Sequence, residues 1–322
     1  RFVPRRRRVL RQWFRRRTLP TKALAMRATP QDAGLLLLLA LLWSSSFMFI
    51  KLAVATVPPV TLAAGRITIG ALVLLLFLRL RGVALPRGRA AWLPLVLVGI
   101  AGNALPFFLI GWGEQFIDSA LAAMLIATTP LVAFILGHFV TSDERLTWPR
   151  GAGVLTGFVG VVVLIGPGEI ASLGSHALGQ LAVVGGAVCY AVAGFFARMV
   201  PPMPRAAAAT GMLVSSSLIM VPLSLVLERP WELSPSAISV ASVVVLGLGS
   251  TALAGIVVFQ LVRRAGATFL SLNNYLNPAL GVLWGVLFLS EAPTAQALAG
   301  LGIILAGLVL TNLRFGPLRA RP

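Results

Sequence analysis

The chain has 322 residues, 58% of them hydrophobic and only 11% charged, with a mean hydropathy of +0.92. That apolar share is well above the range of soluble domains and excludes an ordinary water-soluble fold. A net charge of +18 would suggest nucleic acid in a soluble protein, but here the basic residues follow the connections between apolar runs, so no nucleic-acid partner is expected.

A membrane-crossing helix needs about 20 apolar residues, and ten segments are candidates. In the first half they run Ala33 to Val54, Val60 to Leu80, Trp92 to Gly113, Ser119 to Val140 and Gly151 to Gly166. In the second half they run Gly179 to Met199, Ala206 to Leu227, Ala237 to Val262, Ala267 to Ser290 and Thr294 to Leu313. The runs are continuous and do not alternate with period two, so strands are not expected. The predicted fold is an all-α polytopic membrane protein. Its divisions are a basic tail (1–32), two five-span units (33–167 and 179–313) and a short closing tail (314–322).

Charge orients these spans. Eleven of the 27 basic residues fall between Arg1 and Arg27, and most of the others lie in alternate connections: Arg79 to Arg89, Arg145 and Arg150, Arg198 and Arg205, Arg263 and Arg264, and Arg314 onward. The opposite connections carry Glu114, Asp118, Glu169, Glu228, Glu232 and Glu291. Basic loops stay on the cytoplasmic side, which places both termini in the cytoplasm of a multi-pass protein of the inner cell membrane. The arginine-rich start reads as a disordered topogenic tail or a non-native extension before Met26, with binding of anionic membrane lipid as its functional alternative. No cleaved signal peptide is expected, because no short apolar core with a small-residue cleavage site precedes the first span.

The two halves repeat. Trp43 recurs as Tyr190, Lys51 as Arg198, Glu144 as Glu291 and Gly160 as Gly307, each 147 positions on; Gly99 recurs as Gly247 and Pro130 as Pro278, 148 positions on. An odd number of spans per copy inserts the second copy upside down, and inverted repeats are an architecture of alternating-access carriers.

Polar groups in mid-span are costly in hydrocarbon and are therefore the candidates for function. Asn273, Asn274, Tyr275 and Asn277 precede Pro278, which frees a backbone carbonyl one turn earlier. Thr128, Thr129 and Pro130 occupy the related place in span 4, so Pro130 and Pro278 are candidate helix breaks. Asn103 and Phe107 in span 3, Ser250 and Thr251 in span 8, and Trp43 with Ser46 in span 1 opposite Tyr190 stand at similar depth. Each serine or threonine alone is best satisfied by its own helix backbone; as a ring at one depth they suggest a substrate site. The expected substrate contacts are Trp43, Ser46, Asn103, Phe107, Tyr190, Thr251, Asn274 and Tyr275. The alternative for the amides is that they join helices.

Arg66 lies inside span 2, and Glu114 and Asp118 bracket the end of span 3 on one face if that helix persists. Arg66 and Glu114 could therefore pair and serve coupling or gating, or form a static ion pair. Lys51 and Arg198 are read as interfacial anchors, and Glu144 and Glu291 as caps of the helices that follow them. Gly153, Gly157, Gly160, Gly300, Gly302 and Gly307 allow close packing in spans 5 and 10, within one chain or across a homodimer. Cys189 is a lone cysteine, so no intramolecular disulfide or cysteine metal cluster can form, and His138 and His176 have no partner at ligand spacing. No cofactor or metal is expected.

The stretches LWSSSFMFIKL (Leu42 to Leu52), GEQFIDSALAAMLIATTP (Gly113 to Pro130) and SDERLTWPRGAGVLTGFVG (Ser142 to Gly160) have counterparts in GSTALAGIVVFQLVRRAG (Gly249 to Gly266), YLNP (Tyr275 to Pro278) and LSEAPTAQALAGLGIILAG (Leu289 to Gly307). In order and spacing the chain resembles the EamA-type carriers of the drug/metabolite transporter superfamily, from Gly34 to Leu313. The resemblance implies a ten-helix basket of two inverted repeats around a cavity lined mainly by spans 1, 3, 4, 6, 8 and 9. It also implies small polar or amphiphilic cargo, such as amino acids or related compounds, moving outward. The departures are Tyr190 in place of a second tryptophan, and Ala292 and Pro293 after Glu291 where Arg145 and Leu146 follow Glu144. The expected function is a secondary exporter, active as a monomer or homodimer. An integral membrane enzyme and a nucleotide-sugar-type carrier remain open alternatives. An ATP-driven pump is not expected, since no GxxxxGK[ST] loop occurs.

Overall fold

A computed structural model of the chain describes residues 29–140, 148–166 and 174–312. The basic start, Glu144, Glu169 and the closing tail lie outside these residues. Within them the chain is helical, with no strand. The helices in order are α1 (Pro30–Val54), α2 (Pro59–Leu80), α3 (Arg89–Gly113), α4 (Ser119–Ile126, then Thr129–Val140) and α5 (Trp148–Ile165). They continue as α6 (Ser175–Ala197), α7 (Arg205–Leu227), α8 (Ala237–Arg264), α9 (Gly266–Leu270, then Asn273–Leu289) and α10 (Ala295–Asn312). Seven of them, α1 to α4 and α6 to α8, are long and apolar enough to cross a membrane, while α5 and α10 are apolar and shorter. Large apolar side chains such as Leu72, Leu76, Val226, Leu227, Leu287 and Phe288 stand exposed on the outside, as lipid-facing residues do. The protein is a polytopic helical membrane protein.

The helix α1 starts at Pro30, three residues before the expected start of its span. The reason is local: Asp32 N donates to Thr29 Oγ1 at 3.3 Å, and the Asp32 carboxylate accepts from Thr29 N at 2.9 Å, a reciprocal cap on a helix with proline in its first turn. The same carboxylate accepts from Arg264 Nε at 2.7 Å, tying the start of α1 to the end of α8.

Carboxylates also close the opposite helix ends, though not as the sequence suggested. Glu291 does not cap the helix that follows it. Its two oxygens accept from Ser119 N and Ala120 N of α4, both at 2.8 Å, while the start of α10 is capped by Thr294, which accepts from Ala297 N at 3.1 Å. Glu228 does the same for α2, accepting from Val60 N at 3.0 Å and Thr61 N at 2.6 Å. Lys51, at the end of α1, joins two helices: its Nζ donates to Glu114 O at 2.8 Å and Ile117 O at 2.7 Å, at the end of α3. The common cause is that backbone groups at a buried helix end have no water to bond, so a carboxylate at an N-terminus or an ammonium at a C-terminus satisfies two at once.

The contacts between helices exchange the halves. α1 packs on α8 and α9, α6 packs on α3 and α4, α2 on α7, and α5 on α10. Glycines set the last pair: a Cβ on Gly307 would lie 2.6 Å from Gly153 O and from Gly157 N, and one on Gly160 would lie 2.7 Å from Ile304 N. Gly153, Gly157, Gly160, Gly300 and Gly307 thus all face neighbours within the chain, whereas Gly302 faces open space.

Two helices carry a π-turn, Ile100–Ala104 in α3 and Leu246–Leu253 in α8. They follow the repeat-related Gly99 and include Gly247. Where these glycines sit, a Cβ on Gly99 would lie 2.7 Å from Met212 O, and one on Gly247 would lie 2.6 Å from the Ile69 Cβ. A π-turn changes which side chains face inward, and such turns recur at functional sites.

Candidate functional site

The π-turns bring Asn103, Ser250 and Thr251 to the wall of a central cavity of about 480 Å³. Its lining comes from α1, α2, α3, α4, α6, α7, α8 and α9; α5 and α10 supply none of it. The helices α2, through Arg66 and Leu74, and α7, through Ala209, Met212 and Leu213, therefore join the six implied by the sequence resemblance.

Seven of the eight expected substrate contacts line this space: Trp43, Ser46, Asn103, Phe107, Tyr190, Thr251 and Asn274. Tyr275 does not. It points toward α10, where its hydroxyl donates to Leu308 O at 3.3 Å. Much of the wall is apolar or aromatic, with Trp43, Phe47, Ile50, Phe107, Tyr190 and Phe259 around it.

The hydroxyl groups are mostly spoken for. Ser46 Oγ donates to Trp43 O at 2.5 Å, Thr128 Oγ1 to Leu125 O at 2.7 Å, Thr129 Oγ1 to Ile126 O at 2.8 Å and Ser250 Oγ to Leu246 O at 3.1 Å, each within its own helix. The amides differ: the side-chain oxygens of Asn273 and Asn277, both on the cavity wall, are buried without a donor.

The prolines act unequally. Pro130 stands in the first turn of the second segment of α4, and the helix breaks just before it at Ala127 and Thr128. The expected break at Pro278 does not occur. α9 runs through Pro278 from Asn273 to Leu289, and the break lies at Ser271 and Leu272. Pro278 has no N–H to donate to Asn274 O one turn earlier; at the break itself the chain makes bonds three residues apart, Asn274 N to Ser271 O and Tyr275 N to Leu272 O, both at 3.1 Å.

Arg66 is 3% exposed and faces the cavity. Its guanidinium carbon sits 3.8 Å from the Phe107 ring centroid, and its Nε and Nη2 both donate to Thr251 Oγ1 at 3.4 Å. The expected pairing with Glu114 is absent. Glu114 is fully buried behind the cavity wall, and neither of its carboxylate oxygens has a hydrogen-bond partner. Nor do Glu114 and Asp118 share a helical face, because α3 ends at Gly113 and Asp118 is exposed ahead of α4, where Glu291 has taken the first amides.

Sequence reasoning missed Trp284, whose Nε1 donates to Ser44 Oγ at 2.8 Å and joins α9 to α1. It also missed Glu228 as a cap and Thr251 as the partner of Arg66. The acidic residues were visible as the charges of the sparsely charged loops, but nothing local reveals a partner more than 160 positions away. Among the described residues no group of histidine, cysteine, aspartate and glutamate is placed to hold a metal.

The model of the EamA-like transporter family matches residues 33–166 and again 177–313. The chain belongs to that family. Like other EamA proteins it is a transporter, not an enzyme. It is 27% identical, over 87% of its length and 90% of the relative's, to "Uncharacterized inner membrane transporter YedA" of Escherichia coli K12. It is 28% identical, over 87% of its length and 92% of the relative's, to a protein of Streptantibioticus cattleyicolor named as a probable terminal-alkyne amino-acid exporter. A solved crystal structure superposes with a TM-score of 0.61 at 24% identity, covering 88% of this chain and 97% of that one, which shows a shared fold.

Proposed function

We propose that this EamA protein is a secondary carrier that exports small amphiphilic metabolites, amino acids or related compounds, across the inner membrane by alternating access. On this reading all ten helices cross the membrane as two inverted five-helix halves, with both termini in the cytoplasm. The observation that carries the reading is a central cavity walled by helices of both halves, whose contacts are exchanged five positions in helix order. Rocking one half against the other would open such a cavity to alternate sides. The two relatives named as an inner membrane transporter and an amino-acid exporter support the location, the direction and the type of cargo.

The cavity is enclosed by one chain, so a monomer suffices for transport. Glu114 is the group proposed for coupling, since a buried carboxyl without a partner changes its charge at little cost in broken bonds; exposed Asp118 is not part of it. The test is counterflow in proteoliposomes: saturable exchange of labelled amino acids that is lost in Trp43→Ala with normal insertion. Flux that never saturates and shows no counterflow indicates a channel and ends the proposal. Coupling is checked by comparing Glu114→Gln with the parent under an imposed pH gradient. Equal acceleration of both removes Glu114 from the mechanism.

A further inference from the structure

Among the described residues that line the cavity, Arg66 is the only one with a charged side chain. A guanidinium carries five N–H donors and is not deprotonated in proteins. Here two nitrogens share one long contact to the Thr251 hydroxyl, and Nη1 has no acceptor among the described residues. Stacking on Phe107 offsets part of the cost of burial, but it uses the face of the guanidinium and leaves its hydrogen-bonding edge open. Glu114, with which Arg66 interacts electrostatically, gives its guanidinium no hydrogen bond, so the donors that face the cavity lack an acceptor. Asn273 and Asn277 belong to the same cavity wall, with their side-chain oxygens buried behind its surface.

We infer that Arg66 is the anchor for a substrate carboxylate. This deepens the carrier reading and rests on it. A carboxylate can bridge two guanidinium donors in one plane, and Phe107 holds that plane fixed in advance. The apolar and aromatic remainder of the wall takes the body of the molecule. The preferred cargo is thus an amphiphilic monocarboxylate. A phosphate ester fits less well, because its second charge meets no second cation in the cavity.

The test uses the purified full chain in detergent and reads thermal unfolding and intrinsic tryptophan fluorescence, to which cavity-lining Trp43 contributes. The probes are leucine, phenylalanine and 4-methylpentanoate, each beside its carboxamide, with a hexose phosphate as a further arm. At least one acid is expected to bind at least about tenfold more tightly than its amide, a difference of about 1.4 kcal/mol. In Arg66→Gln this preference is lost, and in Arg66→Lys part of it returns. The comparison of acid with amide needs only the parent protein, so it decides even if a variant fails to fold. Binding of no acid, equal binding of acid and amide, or tighter binding of the phosphate overturns the anchor. The same pairs in proteoliposomes separate the two readings. Acids that bind but are not moved overturn transport and leave the anchor; acids and amides moved alike overturn the anchor and leave transport.

Discussion

The pair α4 and α9 and the pair α5 and α10 are each joined by the repeat, yet they have opposite surfaces. Between α5 and α10 the glycines bring backbone against backbone, and the hydroxyls of Thr156 and Thr311 bond within their own helices, to Ala152 O at 2.9 Å and Leu308 O at 2.8 Å. α4 is interrupted just before Pro130 and α9 at Ser271 and Leu272, and α9 carries amide oxygens with no donor. The difference separates a seam whose threonine hydroxyls are satisfied from a wall whose buried amide oxygens are not.

The largest effect is expected where backbones touch. Gly307→Val places a side chain into Gly153 and Gly157, where no flexible group can yield, and exceeds the usual overpacking cost of about 1–3 kcal/mol. Loss of monodisperse protein on size exclusion is the expected outcome, with Gly302→Ala unchanged as its control. If Gly307→Val behaves as the parent, the contrast between the pairs is wrong.

Glu291→Ala comes next. It leaves the amides of Ser119 and Ala120 without their acceptor, and the melting curve should record a loss of about 2 kcal/mol or more. Asn277→Leu sharpens the contrast by its sign: removing an unpartnered buried amide raises stability by up to about 1 kcal/mol, while flux in proteoliposomes falls about tenfold, the equivalent of about 1.4 kcal/mol. A parallel fall in both would mean that the amide is part of the scaffold. The smallest effect is expected for Thr129→Val, whose hydroxyl bonds only its own helix. Stability should move by less than about 0.5 kcal/mol and flux by less than about twofold.

Much of the fold was legible because hydrocarbon forces the issue. Runs such as Leu35 to Leu42 have no alternative to helix in a membrane, and the helices begin and end within a few residues of the expected limits. Helix ends were harder. Glu291 stands just before α10 and reads as its cap, but the amides without partners belonged to α4, brought close only by packing. Most of the candidate site was legible as mid-span polar residues. The place of Tyr275 was not, since its side chain points toward α10 while its neighbours Asn274 and Asn277 line the cavity.

The amino-acid sequence by itself determined that this protein is helical, belongs in a membrane, and is built from a repeated unit, because composition, run length and periodicity are properties of the chain alone. Only the tertiary structure decided which polar groups are satisfied. Arg66 makes only long bonds to Thr251, Glu114 accepts no hydrogen bond and Thr129 bonds its own helix, and no residue type reveals this, because satisfaction depends on what a neighbouring helix offers across a few ångströms.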